Sequence, residues 1–231
     1  MRPLRRNKNP KICLVIHEST TESALRAVAK ADPLADLIEL RVDYLKNPRL
    51  EFLLEAGGKP LVITNRRKEE GGKFIGDEKN RLALLGEAIH LGAPFVDIES
   101  RSEPSLLGEM ISHKMKTRLI LSYHDLKKTP SPEGLRSLLR RMMGNRADII
   151  KIVTFAQTYE DNLSILSLIP YAREKGQKVI AFCMGAKGKM SRIFSPILGA
   201  AWTYASLDRK RVAAPGQLTA LELREIWERL K

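Results

Sequence analysis

Lys151 is the residue whose position in the sequence is most informative about chemistry. It lies in segment 148–155, where its neighbours on both sides are isoleucine and valine. Lysine is rarely buried without a partner. Burial and nearby cations favour the neutral amine, the form in which lysine attacks a carbonyl carbon to give a Schiff base. A buried ion pair with Glu39 or Asp97 is the structural alternative, and the segment by itself leaves both interpretations open.

His124 is the second candidate for catalysis, because it ends the apolar segment 118–124, which precedes the segment of Lys151. If successive segments are neighbouring strands, the two side chains lie close together. An imidazole titrates near neutrality, so it can take a proton from carbon and return it to a leaving group. An isolated histidine is more often structural, but a buried lysine beside it favours the catalytic interpretation.

The sequence contains no pattern that is typical of a metal site. It has no Cys-x-x-Cys pair, no His-Glu-x-x-His motif and no pair of histidines at ligand spacing. The glycines within 71–72 and 185–188 indicate mobile turns more than a phosphate-binding loop. We therefore expect the chemistry to need neither a metal ion nor another cofactor.

Eight short apolar segments, most of which alternate with helical patterns, must position these residues. They are rich in Ile, Val and Leu, which is typical of parallel strands that are covered on both faces. Strands are predicted at 11–18, 37–44, 60–66, 95–99, 118–124, 148–155, 178–184 and 203–207. Apolar residues three and four apart predict helices at 20–31, 48–56, 78–91, 103–115, 132–143, 159–175, 192–202 and 218–230. Pro170 should kink the helix at 159–175.

Repeated alternation of strand and helix is compatible with a closed (β/α)8 barrel (a TIM barrel) or with an open doubly wound sheet. The turn after the first strand reads HESTTES, with no glycine that would let a backbone approach a pyrophosphate. In a barrel, catalytic groups lie at the carboxyl ends of the strands, where polar residues occur in most of these segments. We predict an α/β protein with a single (β/α)8-barrel domain over 1–231, in which 1–10 form a basic N-terminal arm.

The composition is that of an ordinary soluble globular protein, with 231 residues, of which 43% are hydrophobic and 29% charged. No apolar stretch approaches the ~18 residues needed to span a bilayer. No apolar segment of a secretory signal follows the basic N-terminus. Cys13 and Cys183 both lie in apolar runs, which is typical of buried thiols in a reducing compartment. We therefore expect a cytoplasmic protein without membrane association.

The net charge of +13 raises the question of a nucleic-acid partner. Part of this charge lies in the basic N-terminal residues, and the remaining basic residues are scattered, mostly among acids at helical spacing, which indicates solvated faces. No basic stripe is interleaved with aromatic residues. A basic nucleic-acid-binding protein is the alternative from another class, but it leaves a lysine inside an apolar strand unexplained. We expect no nucleic-acid partner, and the charge would equally attract a small anionic substrate.

Six short motifs resemble, in order and near spacing, those of the type I 3-dehydroquinate dehydratases. They are ELRVD at 39–43, TNRRKEEGG at 64–72, SYHD at 122–125, KIVTFAQ at 151–157, MGAKGKMSR at 184–192 and APGQ at 214–217. Each motif alone is weak, but six in order over most of the chain are specific. The resemblance implies a barrel of the class I aldolase kind, usually a homodimer, that acts in the shikimate pathway. It also implies dehydration of 3-dehydroquinate to 3-dehydroshikimate by syn elimination through a lysine Schiff base.

Three of the matched residues are implied to be catalytic. Lys151 is similar to the Schiff-base lysine of the family, and His124 is similar to its general acid and base. Glu70, in the segment EEGG, resembles the carboxylate that orients and tunes this histidine. The three types suit an elimination beside a ketone, since an iminium is an electron sink and an imidazole can carry the proton between carbon and hydroxyl.

Five further matched residues are implied to bind the substrate. Glu39, Arg41 and Arg66 resemble polar residues that shape the pocket and contact the substrate. Arg192 resembles the arginine that binds the substrate carboxylate, for which a guanidinium offers two parallel hydrogen bonds. Gln217 resembles a side chain that hydrogen-bonds to the substrate.

One position departs from the pattern of the family, and one motif contains two adjacent arginines. Many family members have serine two residues before the proline of the last motif, where this chain has Ala213, so one hydrogen bond to the substrate is expected to be missing or supplied by another group. Arg66 and Arg67 are adjacent, and strand alternation points them in opposite directions. We expect Arg66 to face the pocket.

Another Schiff-base barrel enzyme, such as an aldolase acting on sugar phosphates, is the nearest alternative within the same fold. It would share Lys151 but should carry a phosphate site near the seventh and eighth strands. Activity toward phosphorylated sugars and none toward 3-dehydroquinate would favour this alternative.

Overall fold

A computed structural model describes residues 10–231, so residues 1–9 of the predicted basic arm lie outside the described part. Eight parallel strands form one sheet that curves into a barrel. The strands are β1 (Ile12–Ile16), β2 (Leu37–Arg41), β3 (Leu61–Thr64), β4 (Phe95–Glu99), β5 (Arg118–His124), β6 (Ile149–Phe155), β7 (Lys178–Met184) and β8 (Thr203–Ala205). Each predicted strand is present, and several are shorter than predicted.

The order of the strands closes the sheet. It runs β7-β6-β5-β4-β3-β2-β1-β8, so that β7 and β8 meet at the seam. The backbone N–H of Ala201, just before β8, donates to the carbonyl of Val179 in β7 at 2.9 Å. This bond joins the two edges near their amino ends, and the predicted (β/α)8 architecture is confirmed.

Nine helices occur in the described part and cover the outside of the barrel. They are α1 (Thr21–Ala31), α2 (Leu50–Leu54), α3 (Glu78–His90), α4 (Pro104–Ser112), α5 (Pro132–Met143), α6 (Asp161–Leu166), α7 (Leu168–Glu174), α8 (Lys189–Ile197) and α9 (Ala220–Arg229). Side-chain caps mark several starts, such as Thr20, whose hydroxyl accepts from the backbone N–H of Ser23 at 3.2 Å. Most of the predicted helices begin and end within a few residues of the observed helices.

One helix is interrupted where a proline was expected to kink it, and another helix prediction is wrong in its bounds. The predicted helix 159–175 is present as α6 and α7, which are separated only by Ser167, because Pro170 has no N–H to donate to the carbonyl four residues earlier. The predicted helix 192–202 instead spans Lys189–Ile197. It ends early because Gly199 adopts φ +107°, and the next residue then turns back to donate to the carbonyl of Ser195.

The inside of the barrel has an apolar floor below a polar layer. Alternate residues of a strand point inward, so each inward apolar residue is followed two positions later by another inward residue. Phe95 of β4 and Ile149 of β6 belong to the buried apolar cluster of the floor. Asp97 and Lys151, two positions further along these strands, lie above it. This periodicity brings charged side chains together at the carboxyl ends of the strands.

The helices of the described part are all short. None of those found within residues 10–231 has both the length and the apolar character needed to cross a membrane. Their apolar residues instead pack against the outer face of the strands, where Leu85 of α3 and Leu139 of α5 are fully buried. This outer layer holds the strands, and therefore the charged residues at their ends, in place.

Candidate active site

A cavity of about 320 Å³ lies at the carboxyl ends of the strands. Apolar side chains such as Phe155, Phe182 and Met184 form much of its wall. All eight residues that the resemblance singled out also line it: Glu39, Arg41, Arg66, Glu70, His124, Lys151, Arg192 and Gln217. The fold therefore brings together in one cavity side chains that are up to 178 positions apart in the sequence (217 − 39 = 178).

Lys151 is 4% exposed and lies between two carboxylates. Its Nζ is 3.0 Å from Asp97 Oδ2 and 3.4 Å from Glu39 Oε1. The ring of Tyr204 lies on a further side, with its centroid 4.1 Å from Nζ. The ion pair that the sequence left open is thus present, and both candidate partners take part. The two carboxylates would stabilise any cation at this nitrogen, whether an ammonium or an iminium.

Asp97 is held by cations and a hydroxyl and is fully buried. Arg66 lies 2.8 Å from its Oδ1, and Ser122 Oγ donates to the same oxygen at 2.6 Å. Burial alone would raise the pKa of Asp97, but the charges of Arg66 and Lys151 hold it well below its usual value. Asp97 therefore remains a carboxylate beside Lys151 near neutral pH.

The adjacent arginines 66 and 67 point in different directions, as strand alternation predicts. Arg66 is 3% exposed, lines the cavity and contacts Glu99 Oε1 at 2.9 Å in addition to Asp97. Arg67 is partly exposed and pairs with Glu69 at 3.0 Å. Arg66 already contacts two buried carboxylates, so it has fewer N–H groups free to donate to a ligand. Its main effect is therefore on the charge of the cavity.

His124 forms a pair with Glu70. Its Nδ1 lies 2.9 Å from Glu70 Oε2, and its backbone N–H donates to the same oxygen at 2.9 Å. Burial, together with the charges of Arg66 and Lys151, lowers the pKa of His124 well below its usual value. Burial also raises the pKa of Glu70 to about 7. An ionised Glu70 accepts Nδ1–H and so leaves Nε2 as the basic nitrogen.

We expect kcat/KM for the dehydration that the resemblance implies to change with pH as Glu70 ionises. Its carboxyl group is protonated below its pKa of about 7 and ionised above it. As the pH falls through this value, the acceptor for Nδ1–H is lost, so kcat/KM should fall toward tenfold per pH unit. In Glu70→Gln, the maximum value of kcat/KM should be lower. The fall of kcat/KM at low pH (the acidic limb of the profile) should be absent. A profile of kcat/KM between about pH 5.5 and 8.5 measures both effects.

Glu69→Gln is the matched control for this experiment. Glu69 is the preceding residue and undergoes the same chemical change, but its side chain is exposed and contacts Arg67 outside the cavity. This variant should keep the acidic limb unchanged. An acidic limb that persists in Glu70→Gln would contradict the assignment of the titration to Glu70.

The loop that carries Glu70 is fixed at two points. Gly72 packs so tightly that a Cβ atom there would lie 1.8 Å from the carbonyl oxygen of Arg66, so only glycine fits. The backbone N–H of Lys73 donates to Asp43 Oδ2 at 2.9 Å. Asp43 in turn binds Arg41 through two hydrogen bonds of 2.7 and 2.8 Å. Arg41 and the loop of Glu70 are thereby held by one buried carboxylate.

Arg192 is buried and has no counter-ion within the described part of the chain. It is 1% exposed, and neither Nε nor one of its terminal nitrogens has a hydrogen-bond partner among residues 10–231. The guanidinium lies over the ring of Phe182, 4.4 Å from the centroid. Burial lowers the pKa of Arg192 to about 10, which leaves the group cationic near neutral pH. A buried cation with unused donors is suited to an anionic ligand.

Gln217 lies in the loop that covers the cavity beside β7. Its Oε1 accepts from the backbone N–H of Ala213 at 2.8 Å, which leaves the amide NH₂ for a ligand. The loop is joined to the end of β7 because the N–H of Gly185 donates to the carbonyl of Pro215 at 3.0 Å. Ala213 also lines the cavity, and its methyl group cannot donate a hydrogen bond.

Two residues that contact Lys151 were missed as site residues. Asp97 was considered only as a partner in an alternative ion pair. It nevertheless points into the barrel from β4 as Lys151 does from β6, since each lies two positions after a residue of the apolar floor. Tyr204 lies in the shortest of the eight strands, and its distance to Lys151 depends on closure of the barrel. Strand periodicity could have indicated Asp97, whereas the sequence offers no comparable signal for Tyr204.

No cluster of three or more His, Cys, Asp or Glu side chains that could hold a metal ion occurs between residues 10 and 231. The carboxylates of the cavity instead contact Lys151, Arg66 and the backbone. The arrangement offers a buried amine, an imidazole base and an anion-binding guanidinium.

Comparison with known proteins identifies relatives with the same barrel. The family model described as type I 3-dehydroquinase matches residues 12–231. A 3-dehydroquinate dehydratase of Pyrococcus abyssi is 42% identical over 216 residues, which cover 93% of this chain and 96% of that protein. The enzyme of the same name from Desulfotalea psychrophila is 38% identical over 221 residues, covering 95% and 97% of the two chains.

A solved structure has the same fold as this chain over nearly the whole length of both chains. The type I 3-dehydroquinate dehydratase of Clostridium difficile superimposes with a TM-score of 0.87 at 27% identity, covering 96% of this chain and 92% of that one. The match of the family model extends over all the strands described above. The chain therefore belongs to the type I 3-dehydroquinase family.

Proposed function

We propose that this chain is a hydro-lyase that converts 3-dehydroquinate to 3-dehydroshikimate through a Schiff base on Lys151. Membership of the family supports the reaction. The observation that carries the proposed mechanism is one cavity in which a buried lysine, a buried histidine–glutamate pair and a buried arginine with unused donors all face the same space. Residues 12–231, which the family model matches, would act as one catalytic domain.

Arg192 would bind the substrate carboxylate. Its unpaired nitrogens can donate to the two carboxylate oxygens, and the ion pair would replace the missing counter-ion. The free amide of Gln217 would donate to a substrate oxygen. Arg41 and Glu39 would complete the polar side of the cavity, opposite its apolar wall. The substrate would thus be held with its ketone toward Lys151.

Lys151 would attack the ketone carbon as its neutral amine, after its proton has passed to a base in the cavity. Addition forms a carbinolamine, and loss of water from it forms the iminium. The iminium is a cation in the position of the resting ammonium, so Asp97 and Glu39 would stabilise it through the contacts that they already make. Its positive charge makes the neighbouring carbon–hydrogen bond more acidic.

His124 would take that proton, since its lowered pKa keeps it neutral and able to accept one. The electron pair of the carbon–hydrogen bond forms an enamine. The enamine then expels the hydroxyl two carbons from the imine carbon, and the imidazolium returns the proton so that water leaves. One residue that serves both steps acts from one face, which accounts for a syn elimination. Hydrolysis of the conjugated iminium would release the product and restore Lys151.

Arg192→Met should raise KM for 3-dehydroquinate by about 10²-fold, because charge-assisted hydrogen bonds to the substrate carboxylate are lost. The variant should be about as stable as the unsubstituted protein, since the removed cation has no carboxylate partner among residues 10–231 and the methionine can still pack against the ring of Phe182. Steady-state kinetics by the ultraviolet absorbance of the conjugated product, with a thermal melt, measures both expectations.

Lys189→Met is the matched control for this variant. Lys189 precedes Arg192 by three residues and loses the same charge, but its side chain is exposed. Its KM should remain near that of the unsubstituted protein. An unaltered KM in Arg192→Met would refute the carboxylate-binding role. Failure of the unsubstituted protein to dehydrate 3-dehydroquinate, with turnover of sugar phosphates instead, would refute the proposed reaction.

The resemblance also supports a homodimer as the functional assembly. Exposed apolar side chains lie on the neighbouring helices α6 and α8, namely Leu163, Phe194 and Ile197. Such a surface is suited to burial against a second copy of the chain. Light scattering in solution distinguishes a dimer from a monomer.

Cys13 and Cys183 are buried and are not joined in a disulfide, which supports a reducing, cytoplasmic location.

A further inference from the structure

The ring of Tyr204 is the nearest aromatic group to the nucleophile of the proposed mechanism. Tyr204 lies in β8 and is 3% exposed. Its ring centroid is 4.1 Å from Lys151 Nζ, well within the range of a cation–π interaction. It also lines the cavity. The ring therefore forms one wall of the space in which the Schiff base would form.

Packing holds this ring in place. Tyr204 is paired with Cys13 of β1 in the sheet, so its backbone position is fixed by the closure of the barrel. The ring of Phe182 packs against it with 6.0 Å between centroids. The tyrosine hydroxyl has no hydrogen-bond partner within the described part of the chain. The ring face, and not the hydroxyl, is thus the part of Tyr204 that contacts the nucleophile.

The three neighbours of Nζ have different chemical properties. Asp97 and Glu39 are carboxylates that stabilise a cation but can also accept its proton. The aromatic face of Tyr204 attracts a cation electrostatically and takes no proton from it. A planar iminium can lie flat against this face, whereas the carbinolamine that precedes it is tetrahedral and neutral. The ring therefore distinguishes between the two intermediates.

On the basis of the proposed function, we propose that Tyr204 is a further catalytic residue whose ring face favours the iminium over the carbinolamine. In this step the carbinolamine takes up one proton, its carbon–oxygen bond breaks, and water and the iminium are formed. The positive charge that appears on nitrogen then lies beside the ring. Removing the ring should leave substrate binding by Arg192 intact and reduce the fraction of bound ligand present as iminium.

Borohydride trapping in the His124→Ala background tests this role, because elimination is slow there and the first intermediates accumulate. Reduction of the iminium leaves a stable adduct on Lys151, which intact mass quantifies. We expect Tyr204→Phe to keep the trapped fraction, since the ring remains. Tyr204→Leu should reduce it by about tenfold, the size of a desolvated cation–π interaction. Tyr204→Met provides a second variant without a ring, in case leucine prevents folding.

Each outcome of this experiment either supports or overturns the role of Tyr204. Equal trapped fractions in His124→Ala alone and in His124→Ala combined with Tyr204→Leu or Tyr204→Met would overturn it, whatever the effect on kcat. A loss in Tyr204→Phe as large as in Tyr204→Leu would also overturn it, because the hydroxyl would then be the active part. Absence of any adduct in the protein with both His124 and Tyr204 intact contradicts the proposed function itself, so the two failures are distinguishable.

Discussion

Lys151→Met should reduce turnover of 3-dehydroquinate by about 10⁴-fold or more, because the variant lacks the amine that forms the Schiff base. Methionine has a similar length and tolerates the apolar neighbours of Lys151 in β6. The substitution also removes the one cation that pairs with Glu39 among residues 10–231, whereas Asp97 keeps its contact with Arg66. We therefore expect a folded but less stable protein, which a progress curve and a thermal melt measure together.

Lys178→Met is the control for Lys151→Met. Lys178 begins the neighbouring strand β7, but its side chain is exposed at the opposite end of the barrel from the cavity. This variant should keep its activity. Substantial turnover by folded Lys151→Met would show that no Schiff base on this residue is needed, and the proposed mechanism would have to be abandoned.

His124→Ala should lower kcat by about 10²- to 10⁴-fold while imine formation continues. The imidazole moves the proton in the elimination, whereas attack by the amine requires Lys151 itself. The variant should therefore accumulate an adduct that borohydride traps on Lys151. Measuring kcat together with the mass of the reduced protein separates the two steps.

His90→Ala is the matched control for this variant, since His90 is exposed at the end of α3. Its kcat should be unchanged. Unchanged steady-state rates in His124→Ala would remove His124 from the mechanism. Loss of the trapped adduct in that variant would instead assign His124 to imine formation and not to the elimination.

Much of the fold follows from local patterns in the sequence. The apolar segments that became β4, β5 and β7 were predicted with their observed bounds, because strands covered on both faces are continuous runs of apolar residues. The helix around Pro170 is interrupted, as a proline inside a helical pattern predicts. The helix predicted at 192–202 was misplaced because it depends on particular backbone geometry, since the positive φ of Gly199 ends α8 before the apolar pattern ends.

The sequence predicted residues that share one cavity, but not the contacts between them, and the catalytic and binding roles of these residues stay predictions. The motifs indicated eight of the residues that line the cavity, and the expected difference between Arg66 and Arg67 is observed. The sequence left Lys151 either free or paired, because a contact with Glu39 joins residues 112 positions apart across the barrel. The proximity of Tyr204 depends on how β8 closes against β1, which no local pattern encodes.

Trapping of the covalent intermediate tests the central proposal most directly. The protein is mixed with 3-dehydroquinate and treated with borohydride, and intact mass is followed by peptide mapping, with borohydride alone as the control. We predict a single adduct of the mass of the reduced ligand, located on Lys151. A folded protein that dehydrates 3-dehydroquinate without any adduct, or with the adduct on another lysine, would contradict it.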